Sequence, residues 1–231
     1  GNLLTKTDAR NIVTTHTYDA LNRLLIKDYS DSTPDVSYTY DDNQVPFSKG
    51  KLTKVSSAAS ETQYTGYDAQ ERITSSRQIT DGQTYNFSYT YNLNDDLVSQ
   101  TYPSGKVVQF GYDPSGDLAQ VGKVTASGEF VYANSFSYTP HGRVEKVRFG
   151  NGKWETTQFN SRLQITQIGL GHSSTDTGFW KINLEYGEWT GTAVDALKNN
   201  GDLARQTITI PTIGNVTGFT AIQTYTFDTI D

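Results

Sequence analysis

Apolar and polar residues alternate in short runs along the chain, and each run closes on an aromatic residue. The runs are Val36, Tyr38, Tyr40; Tyr85, Phe87, Tyr89, Tyr91; Val108, Phe110, Tyr112; Phe136, Tyr138; Ile182, Leu184, Tyr186; and Tyr225, Phe227. Ser, Thr, Asn, Gln and Gly lie between them, so the period is two and each run reads as a strand with one apolar face. A turn-forming tetrapeptide follows the aromatic, then a residue that is often Arg, then an aliphatic one. Clear copies start at Tyr18 (Asp19, Arg23, Leu24), Tyr67 (Asp68, Arg72, Ile73), Tyr112 (Asp113, Gly116, Leu118) and Tyr138 (Thr139, Gly142, Arg143, Val144). Weaker copies start at Tyr40 (with Asp41), Tyr91 and Phe159, a disrupted one at Tyr186, and a last one at Phe227 stops with the sequence at Asp231. Successive aromatics are 21 to 41 residues apart. One supersecondary unit with variable loops is being repeated.

The tetrapeptides have type I turn chemistry, with Asp113 or Thr139 first, Pro114 or Pro140 second, and Gly116 or Gly142 last, where a left-handed backbone costs glycine nothing. Asn22 suits that last position and Glu71 does not. The strand after each turn is predicted to end at a two-residue reverse turn: Asp81-Gly82, Ser104-Gly105, Ser127-Gly128 or Asn151-Gly152. Tight turns at both ends give an all-β, repetitive antiparallel hairpin meander of about sixteen strands, two per repeat, which is more than a twisted open sheet carries without curling. Helix is nearly absent; residues 193–198 are the one place for a single turn, inside an inserted loop at 187–200 that carries Trp189.

Composition fits a thin sheet. Hydrophobic residues make up 35% of the 231, with 15 Tyr and 10 Phe supplying much of the apolar surface. The 19 basic and 25 acidic residues give a net charge of −6, and no basic run occurs, which argues against nucleic acid as a partner. No apolar stretch reaches the roughly 20 residues of a membrane span, and no signal peptide is visible at Gly1. Without cysteine there are no disulfides or thiolate metal sites.

The pattern Tyr-Asp-x-x-Gly-Arg-Leu, with Ser-Gly or Asn-Gly some fifteen residues beyond the aromatic, resembles the rearrangement-hotspot (Rhs), or YD, repeat. Gly1-Asn2-Leu3-Leu4 with Thr7-Asp8-Ala9-Arg10, and Asn199 to Ile208, are also similar to segments of that family. The resemblance covers residues 1–231, as one continuous array of about eight to nine repeats. It implies part of a spiralling β-shell, such as those that enclose a C-terminal toxin in bacterial polymorphic toxins and insecticidal toxin complexes, or support adhesion in teneurins. Flanking repeats of a longer chain and an enclosed toxin domain would be its partners, and its place would be secreted or at the cell surface of a bacterium. The family's self-cleaving Asp-Pro-x-Gly-Leu segment is not Asp113-Pro114-Ser115-Gly116, which lies in an ordinary repeat turn and precedes Asp117. Where Asp95-Asp96, Asp117 and Leu163-Gln164 replace the usual residues, the turn is expected to survive and the arginine contact to be lost.

Repeated Asp and Arg are read as turn chemistry: Asp19 and Asp68 accept turn amides, while Arg23 and Arg72 neutralise them or lie over a neighbouring Tyr. His16, His141 and His172 are too far apart for a local metal motif. No nucleophile, base and orienting group assemble with motif support, so no catalytic residue, cofactor or metal is assigned. The expected function is structural and non-enzymatic, enclosing or presenting a toxin or effector encoded elsewhere in a longer chain. The alternative is an extracellular adhesion or carbohydrate-binding module, with Trp189 in the insertion as the contact for a cell-surface carbohydrate.

Overall fold

The computed structural model describes residues 1–125 and 128–227. The Ser127 half of the predicted Ser127-Gly128 turn, and residues 228–231 of the last repeat copy, lie outside them. The chain divides into two compact units, 1–109 and 110–231.

From the first unit up to the start of the second the strands follow one another as β1 (Thr5–Thr7), β2 (Val13–Tyr18), β3 (Leu24–Tyr29), β4 (Val36–Tyr40), β5 (Leu52–Ser56), β6 (Ser60–Tyr67), β7 (Ile73–Thr80), β8 (Gln83–Tyr91), β9 (Leu97–Thr101) and β10 (Val107–Tyr112). Each pairs antiparallel with the next, from Thr5 opposite Thr15 to Gln109 opposite Ser99. The second unit continues with β11 (Leu118–Thr125), β12 (Gly128–Tyr138), β13 (Val144–Phe149), β14 (Trp154–Phe159), β15 (Ile165–Gly171) and β16 (Trp180–Tyr186). A separate small hairpin of β17 (Glu188–Trp189) and β18 (Val194–Asp195) follows, then a 3-10 turn at Ala196–Lys198, then β19 (Leu203–Ile210) and β20 (Phe219–Thr224). Here too the partners are sequential and antiparallel, with β16 passing to β19 across the insertion. The described residues hold twenty strands, eighteen of them outside the small hairpin, against about sixteen expected.

The core is thin. Among the described residues only Tyr67, Val108, Val147 and Ala204 are buried hydrophobics, and most strand positions are half-buried. With so little fully desolvated surface, hydrogen bonds and ring contacts between neighbouring repeats must carry specificity that a thick core would supply elsewhere.

The turns differ from expectation in an instructive way. Asp81-Gly82 is a two-residue turn, with φ of +49° and +72° between Thr80 and Gln83, which face each other across the ladder. Ser104-Gly105 and Asn151-Gly152 are not. Tyr102 and Phe149 each donate their amide to the carbonyl four residues on, and Gly105 and Gly152 donate back to them at 2.8 Å. These loops are the same as the one after each motif aromatic: a type I turn closed by one left-handed residue, so the dipeptide is only its second half. The turn after Tyr40 is also longer than expected, running over 41–51 and closed by the Asp41 amide on the Lys51 carbonyl at 3.1 Å.

A register shift falls at each motif aromatic from Tyr18 to Tyr91 and again at Tyr138, Phe159 and Tyr186. Thr17 faces Ile26 and Tyr18 faces Leu24, so the second strand carries one extra residue. Such a bulge bends the strand and raises its twist at the same point of each of these repeats.

Candidate functional site

The repeated residues form a bonding ladder, beginning with the first residue of the turn. Asp19 Oδ1 accepts the amides of Leu21 and Arg23 at 2.9 and 2.8 Å, and Asp68 Oδ1 accepts those of Gln70 and Arg72 at 3.0 and 2.9 Å. Asn92, Asp113 and Asn160 hold their turns in the same way. Thr139, with a shorter side chain, accepts only the Arg143 amide, at 3.1 Å. The loop closes with a left-handed residue: Gly116 and Gly142 at φ +88° and +77°, but also Asn22, Glu71, Asp95 and Leu163 at +61° to +69°.

Arginine then joins one repeat to the next. Arg23 Nε binds Asp19 at 2.7 Å, its second terminal nitrogen binds Asp41 of the following repeat at 2.7 Å, and its guanidinium lies 4.4 Å over the Tyr40 ring. Arg72 repeats the arrangement, binding Asp68 at 2.7 Å and Asp95 at 2.8 Å, donating to the Asn92 carbonyl at 2.9 Å and lying 4.7 Å over Tyr91. Arginine's planar fork is what permits two acids and a ring face to be met at once. Asp41 and Asp19 are both held below the ordinary carboxylate range, Asp41 chiefly by the Arg23 guanidinium and Asp19 chiefly by the Arg23 amide. Burial pushes Asp68 up, and the hydrogen bonds from the Arg72 amide and guanidinium outweigh it, so its net shift is also downward.

Copies without an arginine of their own keep part of the arrangement by other means. Asp95 receives Arg72 from the preceding copy. Within its own copy the pair is kept with donor and acceptor exchanged, Asn92 Nδ2 giving its hydrogen to Asp96 Oδ2 at 2.9 Å; Asn160 does the same to Gln164 at 2.8 Å.

The motif tyrosines supply a third rung. Each hydroxyl donates to the carbonyl of the aliphatic residue that opens the second strand of the preceding repeat: Tyr40 to Leu24 at 3.0 Å, Tyr67 to Leu52 at 2.5 Å, Tyr91 to Ile73 at 2.8 Å and Tyr138 to Leu118 at 2.8 Å. Tyr18 donates to Leu3 at 2.9 Å, so residues 1–4 stand where a preceding repeat would. Burial pushes the phenols of Tyr40, Tyr67, Tyr91 and Tyr138 up. Phe159 has no hydroxyl to give, and packs edge-on against His141 at 5.4 Å. The recurrence of Tyr rather than Phe at an otherwise apolar position was the sequence signal for this bond.

The histidines lie apart from one another. His16 is in β2 with a buried, unpartnered Nδ1, His141 is in a turn, and His172 pairs with Asp176 at 3.3 Å and lies tilted against the Phe179 ring, centroids 4.2 Å apart. Among the described residues no group of three or more His, Asp or Glu is placed to hold a metal, and no helix is long and apolar enough to cross a membrane.

The insertion folds back at Gly187, which has φ of +144° and where a β-carbon would stand 2.2 Å from the Asp195 carbonyl oxygen, too close to fit. Trp189 is half-buried, opposite Val194 in the small hairpin, with the Arg205 guanidinium 5.9 Å from its ring.

The family profile described as RHS Repeat matches residues 1–34 and 91–129, which contain the Tyr18, Tyr91 and Tyr112 copies. No curated protein matches the chain. Among solved structures, the crystal structure of TcdB2-TccC3 aligns with a TM-score of 0.70 at 16% identity, over 97% of this chain and 12% of that one. TcdB2-TccC3 without its hypervariable C-terminal region aligns at 0.68, with 16% identity, 97% coverage of this chain and 14% of that one. A Tc holotoxin pore of Photorhabdus luminescens aligns at 0.66, with 17% identity and the same coverages. At such identities the likeness is one of fold, and the chain spans only about an eighth of the length of these relatives. The repeat profile matches residues 1–34 and 91–129, and the same tyrosine, aspartate and arginine ladder runs through the Tyr40 and Tyr67 copies between them, so the chain carries repeats similar to those of the Rhs/YD-repeat family.

Proposed function

We propose that residues 1–231 are one continuous, non-enzymatic stretch of shell wall that works with flanking repeats of a longer chain to enclose or present a toxin or effector encoded elsewhere in it. The observation that carries this reading is the direction of the ladder. In the Tyr18 and Tyr67 copies the arginine engages an aspartate and a tyrosine of the following repeat, Arg23 with Asp41 and Tyr40 and Arg72 with Asp95 and Tyr91, which leaves these residues committed to assembly rather than to a substrate. The fold shared with TcdB2-TccC3 over 97% of this chain supports the same role. In this reading the wall acts outside a bacterial cell, secreted or at its surface.

The test is made in the longer reading frame that contains this chain. Replacing His16, His141 and His172 together by Gln should leave biological activity intact in a folded protein. Deleting residues 112–137 should expose the contents of the shell to limited proteolysis, because a lost hairpin shifts every later strand pairing. Loss of activity in the folded histidine variant, alongside an active and fully protected deletion, would overturn the structural reading.

A further inference from the structure

The repeat that begins at Tyr186 departs from the ladder in two ways at once. Its turn is replaced by the insertion, and its hydroxyl makes no carbonyl bond of the kind made by Tyr40, Tyr67, Tyr91 and Tyr138; among the described residues it meets no hydrogen-bond partner. Burial pushes the Tyr186 phenol up, and its hydroxyl is left available to a ligand rather than spent on a neighbouring repeat.

Tyr186 lines a cavity of about 350 Å³ between the strands β15 and β16 and the insertion above them. That volume is at the lower end of small-molecule sites, which run from about 300 to 1,000 Å³. On the sheet side stand Thr166 and Asn183; Asn183 uses its carbonyl oxygen to accept from Gln167 at 2.8 Å, while its amide nitrogen and the Thr166 hydroxyl are unpartnered among the described residues. Asn160 and Asn199 form one wall and are fixed by Gln164, whose carbonyl oxygen accepts from both at 2.8 Å. Val194 and Ala196 supply an apolar side. The one charged lining group, Glu185, is neutralised by the Arg205 fork, one nitrogen of which lies at 2.7 Å.

We propose that this cavity binds a neutral sugar, as a monosaccharide or the end of a disaccharide. The lining offers an amide donor, two hydroxyls that both give and accept, an aromatic ring and a small apolar wall. It offers no free cation for a phosphate or carboxylate and no free acid for a metal or an amine. Vicinal hydroxyls on a ring with one apolar face match that set. The insertion thus converts one repeat from wall-building to recognition, and the site is the cavity beneath the hairpin rather than Trp189 on it.

The experiment is ligand-observed saturation-transfer NMR with this chain and a panel of glucose, galactose, N-acetylglucosamine, maltose and lactose, followed by titration of any sugar that responds. At least one sugar should bind, and Tyr186→Phe, which removes a single oxygen, should weaken it at least fivefold. Asn183→Ala should weaken it as much, with both variants retaining the parent's melting curve. Trp189→Ala should leave affinity within twofold. Absence of binding across the panel overturns the proposal. So does binding that survives both cavity variants, or that Trp189→Ala alone abolishes.

Discussion

The Arg23 guanidinium lies 4.4 Å over the ring of Tyr40 while binding Asp19 behind it and Asp41 ahead of it, each at 2.7 Å. One side chain thereby closes its own turn and clamps the next. Arg72 does the same over Tyr91. A lysine has one point charge and no planar fork, so it cannot serve both acids and the ring together. Arg72→Lys should therefore lower the thermal midpoint nearly as far as Arg72→Ala. Arg143 is exposed, with Thr139 rather than Asp at the head of its turn, and Arg143→Lys should leave the midpoint unchanged. Differential scanning calorimetry of the three variants is the check.

The tyrosine rung makes a sharper distinction. Tyr91 and Tyr138 each give a hydroxyl to a carbonyl of the preceding repeat at 2.8 Å, and Tyr186 gives its hydroxyl to none of the described residues. Tyr91→Phe and Tyr138→Phe should each cost about 0.5 to 1.5 kcal/mol in urea unfolding, the usual net worth of one such bond. Tyr186→Phe should cost nothing measurable, because it removes an oxygen that forms no internal bond. Equal costs at all three positions would contradict the ladder.

The strands and the turn carboxylates were legible in the sequence because both are local: period-two alternation fixes a strand, and an Asp or Asn at the head of a turn reaches amides two and four residues on. What lay between repeats was legible only in part, as an arginine expected over some neighbouring Tyr. That Arg23 would meet Tyr40 and Asp41 depends on the strand register, and the bulge that shifts Tyr18 opposite Leu24 leaves no residue-type signature. The left-handed positions of Glu71 and Leu163 were hidden for the opposite reason, since the closing geometry is imposed by the hairpin on whatever residue stands there. The cavity beneath the insertion draws Asn160, Asn183 and Asn199 from three separate segments, and no local spacing could announce it.

Those imposed conformations can be tested from both directions. Gly116 and Gly142 are at φ +88° and +77° with open space where a β-carbon would stand, so substitution there is strained by backbone conformation alone. Gly116→Val or Gly142→Val should cost about 1 to 3 kcal/mol. Leu163 is at φ +63°, and Leu163→Gly should stabilise by up to about 1 kcal/mol, since relief of the left-handed strain exceeds the added chain entropy of glycine. Urea midpoints for the three variants decide it; unchanged values in both valine variants would refute the turn assignment.

Acid should loosen the ladder, and the sign follows from the carboxylates. Asp19, Asp41 and Asp68 are all held below the ordinary carboxylate range, so the folded chain binds protons less readily than the unfolded one. Their contribution is complete above the unfolded-state value and is lost as pH falls through the folded-state values; stability should be flat near neutrality and drop in the strongly acidic range. Asp68→Asn separates the two jobs of the residue. Asn92 and Asn160 show that an amide oxygen holds the same turn, so the variant keeps its loop but gives up the charge that meets Arg72. It should be less stable than the parent at pH 7 and nearly equal to it once acid has protonated the parent's carboxylate, which makes its stability less dependent on pH. Asp68→Ala, which loses turn and charge together, should remain below both at every pH. Urea midpoints for the three proteins between neutral and strongly acidic pH are the measurement, and parallel curves for parent and Asp68→Asn would show that the charge of Asp68 contributes nothing.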